Sequence, residues 1–146
     1  MESMLGVKFP SDFRNIVIDY NGSETNKINF DTKSDKGNII NYLLSFNLRD
    51  DGNILDANDF ISSKLTGRND TIIPIMGSYD GTYICYSFGS SVSIQYYNRL
   101  NNELIYVADS FTSFINLLYD EEKNKENMNK LANIKPLISF NKSDYL

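Results

Sequence analysis

Residues Thr71 to Asn98 read TIIPIMGSYDGTYICYSFGSSVSIQYYN, three short apolar runs separated by two glycine-containing breaks. Runs of β-branched and aromatic residues at this spacing predict the central meander of an antiparallel sheet. Side chains alternate faces along a strand, so Thr82, Ile84, Tyr86 and Phe88 are expected to face the core and Tyr83, Cys85 and Ser87 the opposite side. Tyr79-Asp80-Gly81 and Gly89-Ser90-Ser91 supply the small residues and the tolerance of positive φ that tight reversals need.

Upstream of the meander the pattern changes to helix, strand and turn. Pro10 followed by Ser11 as N-cap and Asp12 in the first turn predicts a helix start, and Phe13, Ile16, Val17 and Tyr20 recur at helical spacing. Asn21-Gly22 ends it, since both residues tolerate the left-handed conformation of a C-cap. Ile28 and Phe30 suggest a short strand and the polar residues Asp31 to Asn38 a loop. Alternation of Ile40, Tyr42, Leu44, Phe46 and Leu48 then predicts one long strand, with a helix as the alternative that the adjacent Leu43 and Leu44 leave open. Arg49-Asp50-Asp51-Gly52-Asn53 is a turn; as a calcium loop counted from Asn47 it fails, with Arg49 at the third ligand position and Asn58 at the twelfth. Asp56 is the expected cap of a second helix, with Asp59 near its positive end, Ala57, Phe60, Ile61 and Leu65 as its apolar stripe and Gly67 as its stop.

Downstream, Asn101-Asn102-Glu103 predicts a turn and Leu104 to Ala108 a last core strand. A helix beginning at Asp109 or Ser110 carries Phe111, Phe114, Ile115 and Leu118 on one stripe. From Asp120 onward the composition shifts to Lys, Glu and Asn with balanced charge, and Met128 to Ile134 and Leu137 to Phe140 suggest a short helix and an edge strand. Residues 120–146 therefore read as an appendage docked on a single domain spanning 1–119.

Composition excludes more than it names. The chain has 146 residues, 41% hydrophobic and 13% aromatic, enough for one packed core that buries roughly 68–70% of the unfolded surface. No apolar run approaches the roughly 18 residues of a membrane span, and MESMLGVKFP lacks the basic and long apolar regions of a signal peptide, so a cytoplasmic location and no membrane partner are expected. The absence of histidine removes the commonest general base, the usual activator of Ser or Cys and the commonest zinc ligand. One cysteine, Cys85, can form neither an intrachain disulfide nor a thiolate zinc site, and its place in a strand predicts a small buried apolar side chain. With no phosphate-binding glycine loop either, no catalytic residue, cofactor or metal site is predicted.

The ordered landmarks Leu5-Gly6, Phe9-Pro10-Ser11-Asp12-Phe13-Arg14 and Asn21-Gly22 resemble the opening of the SUKH superfamily. Ile73-Pro74-Ile75, Asp80-Gly81, the strand around Cys85, Ile105-Tyr106-Val107-Ala108 and Asp109-Ser110-Phe111-Thr112-Ser113-Phe114 are similar to its middle and closing blocks. The resemblance spans Leu5 to Leu118, with Asp31 to Asn69 matching only in pattern. It implies an α+β fold, a mostly antiparallel sheet of about six strands with helices around it. It also implies a non-catalytic role, typically as an immunity partner that neutralises a cognate bacterial toxin, often a nuclease; a regulatory interaction module of the cell-wall-regulator kind is the alternative.

Charge bears on the partner. Between Asp50 and Asp80 lie six acids and two bases, which carries most of the chain's net −5. Such a stretch repels phosphate backbones, so nucleic acid is not expected as a partner, whereas a basic protein surface would be steered toward it. Asp50, Asp51 and Asp80, on predicted reversals, are therefore the candidate contacts for a toxin with a basic surface, and Tyr79 beside Asp80 is the candidate aromatic anchor.

Overall fold

The meander forms as its sequence predicts. In the computed structural model, which describes residues 1–120, β4 (Thr71–Gly77), β5 (Tyr83–Phe88), β6 (Val92–Asn98) and β7 (Glu103–Ala108) pair consecutively and antiparallel, and β3 (Tyr42–Leu43) extends the sheet to five strands beside β4. A separate ribbon joins β1 (Asn29–Phe30) to β2 (Asn38–Ile39). Four helices complete the described residues: α1 (Glu2–Leu5), α2 (Ser11–Tyr20), α3 (Ile54–Lys64) and α4 (Phe111–Leu117). The fold is α+β. The expected appendage lies almost wholly outside the described residues.

The front face of the sheet carries the main core. Ile84 and Tyr86 on β5 stand opposite Tyr96 and Ile94 on β6, and all four are buried. Their aromatic members join two ring clusters. Tyr86 meets Phe9 and Phe13 at centroid distances of 5.8 and 5.6 Å, and Phe13 meets Phe111 edge-on at 5.1 Å. Phe30 of the small ribbon meets Tyr96 and Phe114 at 5.2 and 5.3 Å. Full burial of each such ring contributes about 1.5–3 kcal/mol, so helices and ribbon are held to the sheet by the aromatic residues that were legible as stripes.

The back face is also covered, but only in part. Cys85 is fully buried there with Ile72 and Tyr97 beneath Ile61 of α3. The face assignment within β5 therefore holds for the main core, while the opposite face supports a second, smaller cluster. Pro74, inside β4, lacks a backbone donor. It is tolerated because β3 pairs only with Met76 and Gly77 and leaves the rest of that side of β4 outside the ladder. A bulge at Ile75 lets Ile73, Ile75 and Met76 all sit buried.

Several local expectations are corrected. Pro10, not Ser11, is the N-cap of α2, and no side chain caps that helix; its carbonyl accepts from Arg14 N–H at 3.1 Å. Asp12 instead accepts from the backbone N–H and hydroxyl of Thr112 at 3.0 and 2.9 Å, tying α2 to the start of α4. At the other end of α2 only Gly22 takes the left-handed conformation (φ 75), while Asn21 stays extended. The cap of α3 is Asn53, whose Oδ1 accepts from Asp56 N–H at 3.0 Å while its Nδ2 donates to the Asp56 carboxylate at 3.0 Å. Asp56 thus lies in the first turn. Of the two starts considered for α4, Ser110 is the cap, accepting from Ser113 N–H. The short α1, closed by left-handed Gly6, was not anticipated.

The largest correction falls on the predicted long strand Ile40 to Leu48. Only the two-residue β3 forms within it, followed by an isolated bridge from Ser45 to Asn53 and a bend, and Leu43 and Leu44 are both buried. The reason is that this segment threads between two partners. Leu43 N–H donates to Ser23 C=O and Leu44 N–H to Ile75 C=O, both at 2.9 Å, so side chains on both sides are enclosed and alternation no longer reports a solvent face.

Candidate functional site

The β4–β5 turn and its neighbours build an aromatic surface at one end of the back face. Tyr42 on β3 and Tyr83 on β5 both stand opposite Gly77 of β4, and Tyr97 on β6 stands opposite Tyr83. Opposed residues of antiparallel strands share a face, so these positions form one row across four strands. Gly77 is required for it. A Cβ there would lie 2.9 Å from the Tyr42 ring, so only glycine lets that ring lie over the strand. Phe60 of α3 leans on the row at 6.0 Å from Tyr83 and 6.3 Å from Tyr97, with the Lys64 ammonium 5.6 Å from its own ring.

Tyr79 stands at the outer end of this surface and is 71% exposed. It is nevertheless held. Its ring lies 5.5 Å from that of Tyr42, its hydroxyl donates to Glu24 Oε1 at 2.5 Å, and its backbone N–H donates to Asn41 Oδ1 at 3.1 Å. The bond to Glu24 raises the Tyr79 pKa, and burial raises those of Tyr42, Tyr83 and Tyr97. All four phenols stay neutral donors at physiological pH. Such a ring offers apolar area that is already ordered before any partner arrives.

The candidate acids occupy two turns. Gly52, in the left-handed conformation (φ 72), brings the Asp50–Asn53 turn against Tyr42, whose hydroxyl would be 3.7 Å from a Cβ at Gly52. Asp51, next to it, is exposed and its carboxylate makes no hydrogen bond or ion pair among the described residues. Asp50 is exposed as well, but its carboxylate accepts from Ser45 Oγ at 2.5 Å and from Asn47 Nδ2 at 3.4 Å. Asp80 accepts from the hydroxyls of Ser78 and Thr82 and from Thr82 N–H. Partial burial pushes its carboxyl up, and these hydrogen bonds outweigh that and hold it below the ordinary value. Tyr42 thus links the Asp51 turn to Tyr79, while the carboxylates of Asp50 and Asp80 brace their own turns.

Sequence reasoning passed over Tyr42, Gly77 and Glu24. They are distant in the chain, and only the strand register makes them neighbours of Tyr79.

With the geometry in view, the chain can be compared with known proteins. Residues 1–115 match the model of a protein family, SUKH_6, described as SMI1-KNR4 cell-wall. The chain belongs to the SUKH family. No curated protein and no solved structure matches it. SUKH proteins are generally non-catalytic immunity or regulatory proteins. The landmarks that carry the resemblance are structural in this SUKH chain: Leu5-Gly6 closes α1, Phe9 and Phe13 join the ring cluster, and Ser110 caps α4. Cys85 is wholly buried, and burial pushes its thiol far above the ordinary range. Among the described residues no group of three or more His, Cys, Asp or Glu is placed to hold a metal ion, and no helix is long and apolar enough to cross a membrane.

Proposed function

We propose that this SUKH protein is a non-catalytic, cytoplasmic immunity protein that binds a cognate protein toxin with a basic surface and thereby neutralises it. The observation that carries the reading is Tyr79, an exposed ring fixed at its face by Tyr42 and at its hydroxyl by Glu24. Tyrosine offers large apolar area with a polar tip and is enriched among binding hot spots, and here its ring is already ordered. The acids of the neighbouring turns, Asp50, Asp51 and Asp80, supply a field that steers a basic partner. The family description favours a second reading, a regulatory interaction module of the cell-wall-regulator kind without a toxin.

Co-purification from the native host followed by identification of the bound protein separates the two. Binding kinetics then test the surface. Tyr79→Ala is expected to speed dissociation by about 30-fold, the scale of a hot-spot loss of about 2 kcal/mol. Replacing Asp50, Asp51 and Asp80 together by Asn is expected to slow association and flatten its salt dependence with little change in dissociation. A captured partner whose kinetics ignore both sets of changes would place the binding face elsewhere.

A further inference from the structure

The back face of the sheet carries a hollow at the end away from the tyrosine row. Ser87 on β5 and Ser93 on β6 stand opposite each other there, and Gln95 follows Ser93 on the same face. These three residues, the segment 67–70 between α3 and β4, and the turn at 89–91 line a space of about 670 Å³. That is within the roughly 300–1,000 Å³ of small-molecule sites. Gly89 lets the turn come close, since a Cβ there would lie 3.2 Å from the Cβ of Asp70.

Ligand sites are ordinarily walled by apolar side chains. Here no lining residue has one: each is a glycine, a serine, or carries an amide or a charge. The cation of the lining, Arg68, is engaged by Asp70, donating from Nε to Oδ1 at 2.7 Å and from Nη2 to Oδ2 at 2.8 Å. The lining is therefore neutral as a whole, and an anion gains little from a guanidinium already held in a bidentate pair. What remains is hydrogen bonding in both senses. Arg68 Nη1 has donors to spare, while Ser93 Oγ accepts from Gln95 Nε2 at 3.2 Å and keeps its own proton to donate. Gln95 Oε1 and the hydroxyls of Ser90 and Ser91 make no hydrogen bond among the described residues. Opposite Gln95 on β7 stands Tyr106, 49% exposed, with its hydroxyl donating to Asp109. Opposed residues share a face, so this ring borders the hollow with apolar surface open and its tip held.

We infer that the hollow is a binding site for a neutral saccharide, a sugar ring laid against Tyr106 with its hydroxyls on Gln95, Ser93 and Arg68. The hydroxyls of a sugar both donate and accept, which suits a lining of serines with a planar amide and a planar guanidinium. Its C–H faces are the apolar part that a tyrosine ring covers. A peptide fits less well, because its apolar side chains meet no apolar wall. The hollow lies at the other end of the back face from Tyr42 and Tyr79, so saccharide binding here is independent of a partner seated there.

The test is an NMR titration of the isotope-labelled full chain with methyl glucoside, methyl galactoside, methyl mannoside and N-acetylglucosamine, and with inorganic phosphate as the anionic comparison. At least one sugar is expected to bind with millimolar affinity and to shift the backbone amides of residues 90–93 and the side-chain amide of Gln95. Phosphate should leave those signals in place. Tyr106→Ala and Gln95→Ala should each weaken sugar binding by about 10-fold, with the thermal melt unchanged because neither side chain belongs to the core. Tyr106→Phe keeps the ring and should hold the affinity to within about 3-fold. No shift from any of the sugars, shifts confined to amides outside the hollow, phosphate acting where the sugars act, or an affinity indifferent to both alanine substitutions would each overturn the inference. So would backbone amides of Ser90 and Ser91 already protected from exchange in the free chain, since another part of the chain would then fill the hollow.

Discussion

The two faces of the sheet use the same residue types to different ends. On the front, Phe13, Phe30, Tyr86, Phe111 and Phe114 are buried to the last few per cent, and helices α2 and α4 seal them. On the back, Tyr42, Tyr83 and Phe60 stay half-exposed, and α3 covers only the part around Cys85 and Ile72. Aromatic content alone therefore does not separate core from contact surface. What separates them is whether a helix closes over the row, and at the Tyr42 end none of the described helices does.

The sharpest way to break the comparison is to weaken each face in turn. Phe114→Ala removes a fully buried ring that packs on Phe30 and should cost about 3–5 kcal/mol in urea denaturation. A loss under about 1 kcal/mol would mean that the front face is not the main store of stability. On the back, Gly77→Ala sets a Cβ at 2.9 Å from the tip of Tyr42, so the ring must swing away. Because the obstructed atoms are the far end of a side chain, the fold should lose only about 1 kcal/mol. Partner binding should weaken through the displaced Tyr42–Tyr79 contact, and an unaltered dissociation rate would dissociate Tyr42 from the binding surface. The smallest effect is expected at Asp70. Its carboxylate is held down to about 2 by the Arg68 guanidinium at 2.7 and 2.8 Å, with Ser87 adding a further hydrogen bond. A depressed carboxyl contributes stability that is fully present above its ordinary value of 3.8 and is lost as pH falls through about 2. Arg68 is partly exposed, so solvent screening limits the contribution to under about 1 kcal/mol. Asp70→Asn should remove that increment at neutral pH and flatten the acid limb of the stability curve; an unchanged limb would assign the acid sensitivity to other carboxylates.

How much of this was legible in the sequence depended on how many sides of a segment are enclosed. The meander could be read because Gly81 and the Gly89–Ser91 break carry their turn chemistry locally. The helices could be read because Phe13 and Val17, or Phe111 and Phe114, repeat on one buried stripe. The stretch from Ile40 to Leu48 could not, because its backbone bonds alternately to residues 23–25 and to β4, and burial on both sides erases the period. Capping was legible only in kind. Asn53 and Asp56 offer equally good oxygens, and the register of α3 against Ile72 and Cys85 decides between them. At the candidate surface Tyr79 and Asp51 were visible as turn residues. The row beneath them was not, since Tyr42, Gly77 and Tyr83 meet only through strand pairing.

β3 has one more consequence, a kinetic one. Its two-residue ladder is the shortest connection in the main sheet, and all of α3 lies between it and its partner β4 in the chain. The hairpins of β4 to β7 close over a few residues each, whereas β3 must close a long loop for two backbone pairs. β3 is therefore the strand of the main sheet expected to dock last in folding, and Tyr42 rides on it. A partner seated on Tyr79 would bear on this late-docking strand through the Tyr42 ring, so the amides around Tyr42 are where bound and free protein should differ in hydrogen exchange.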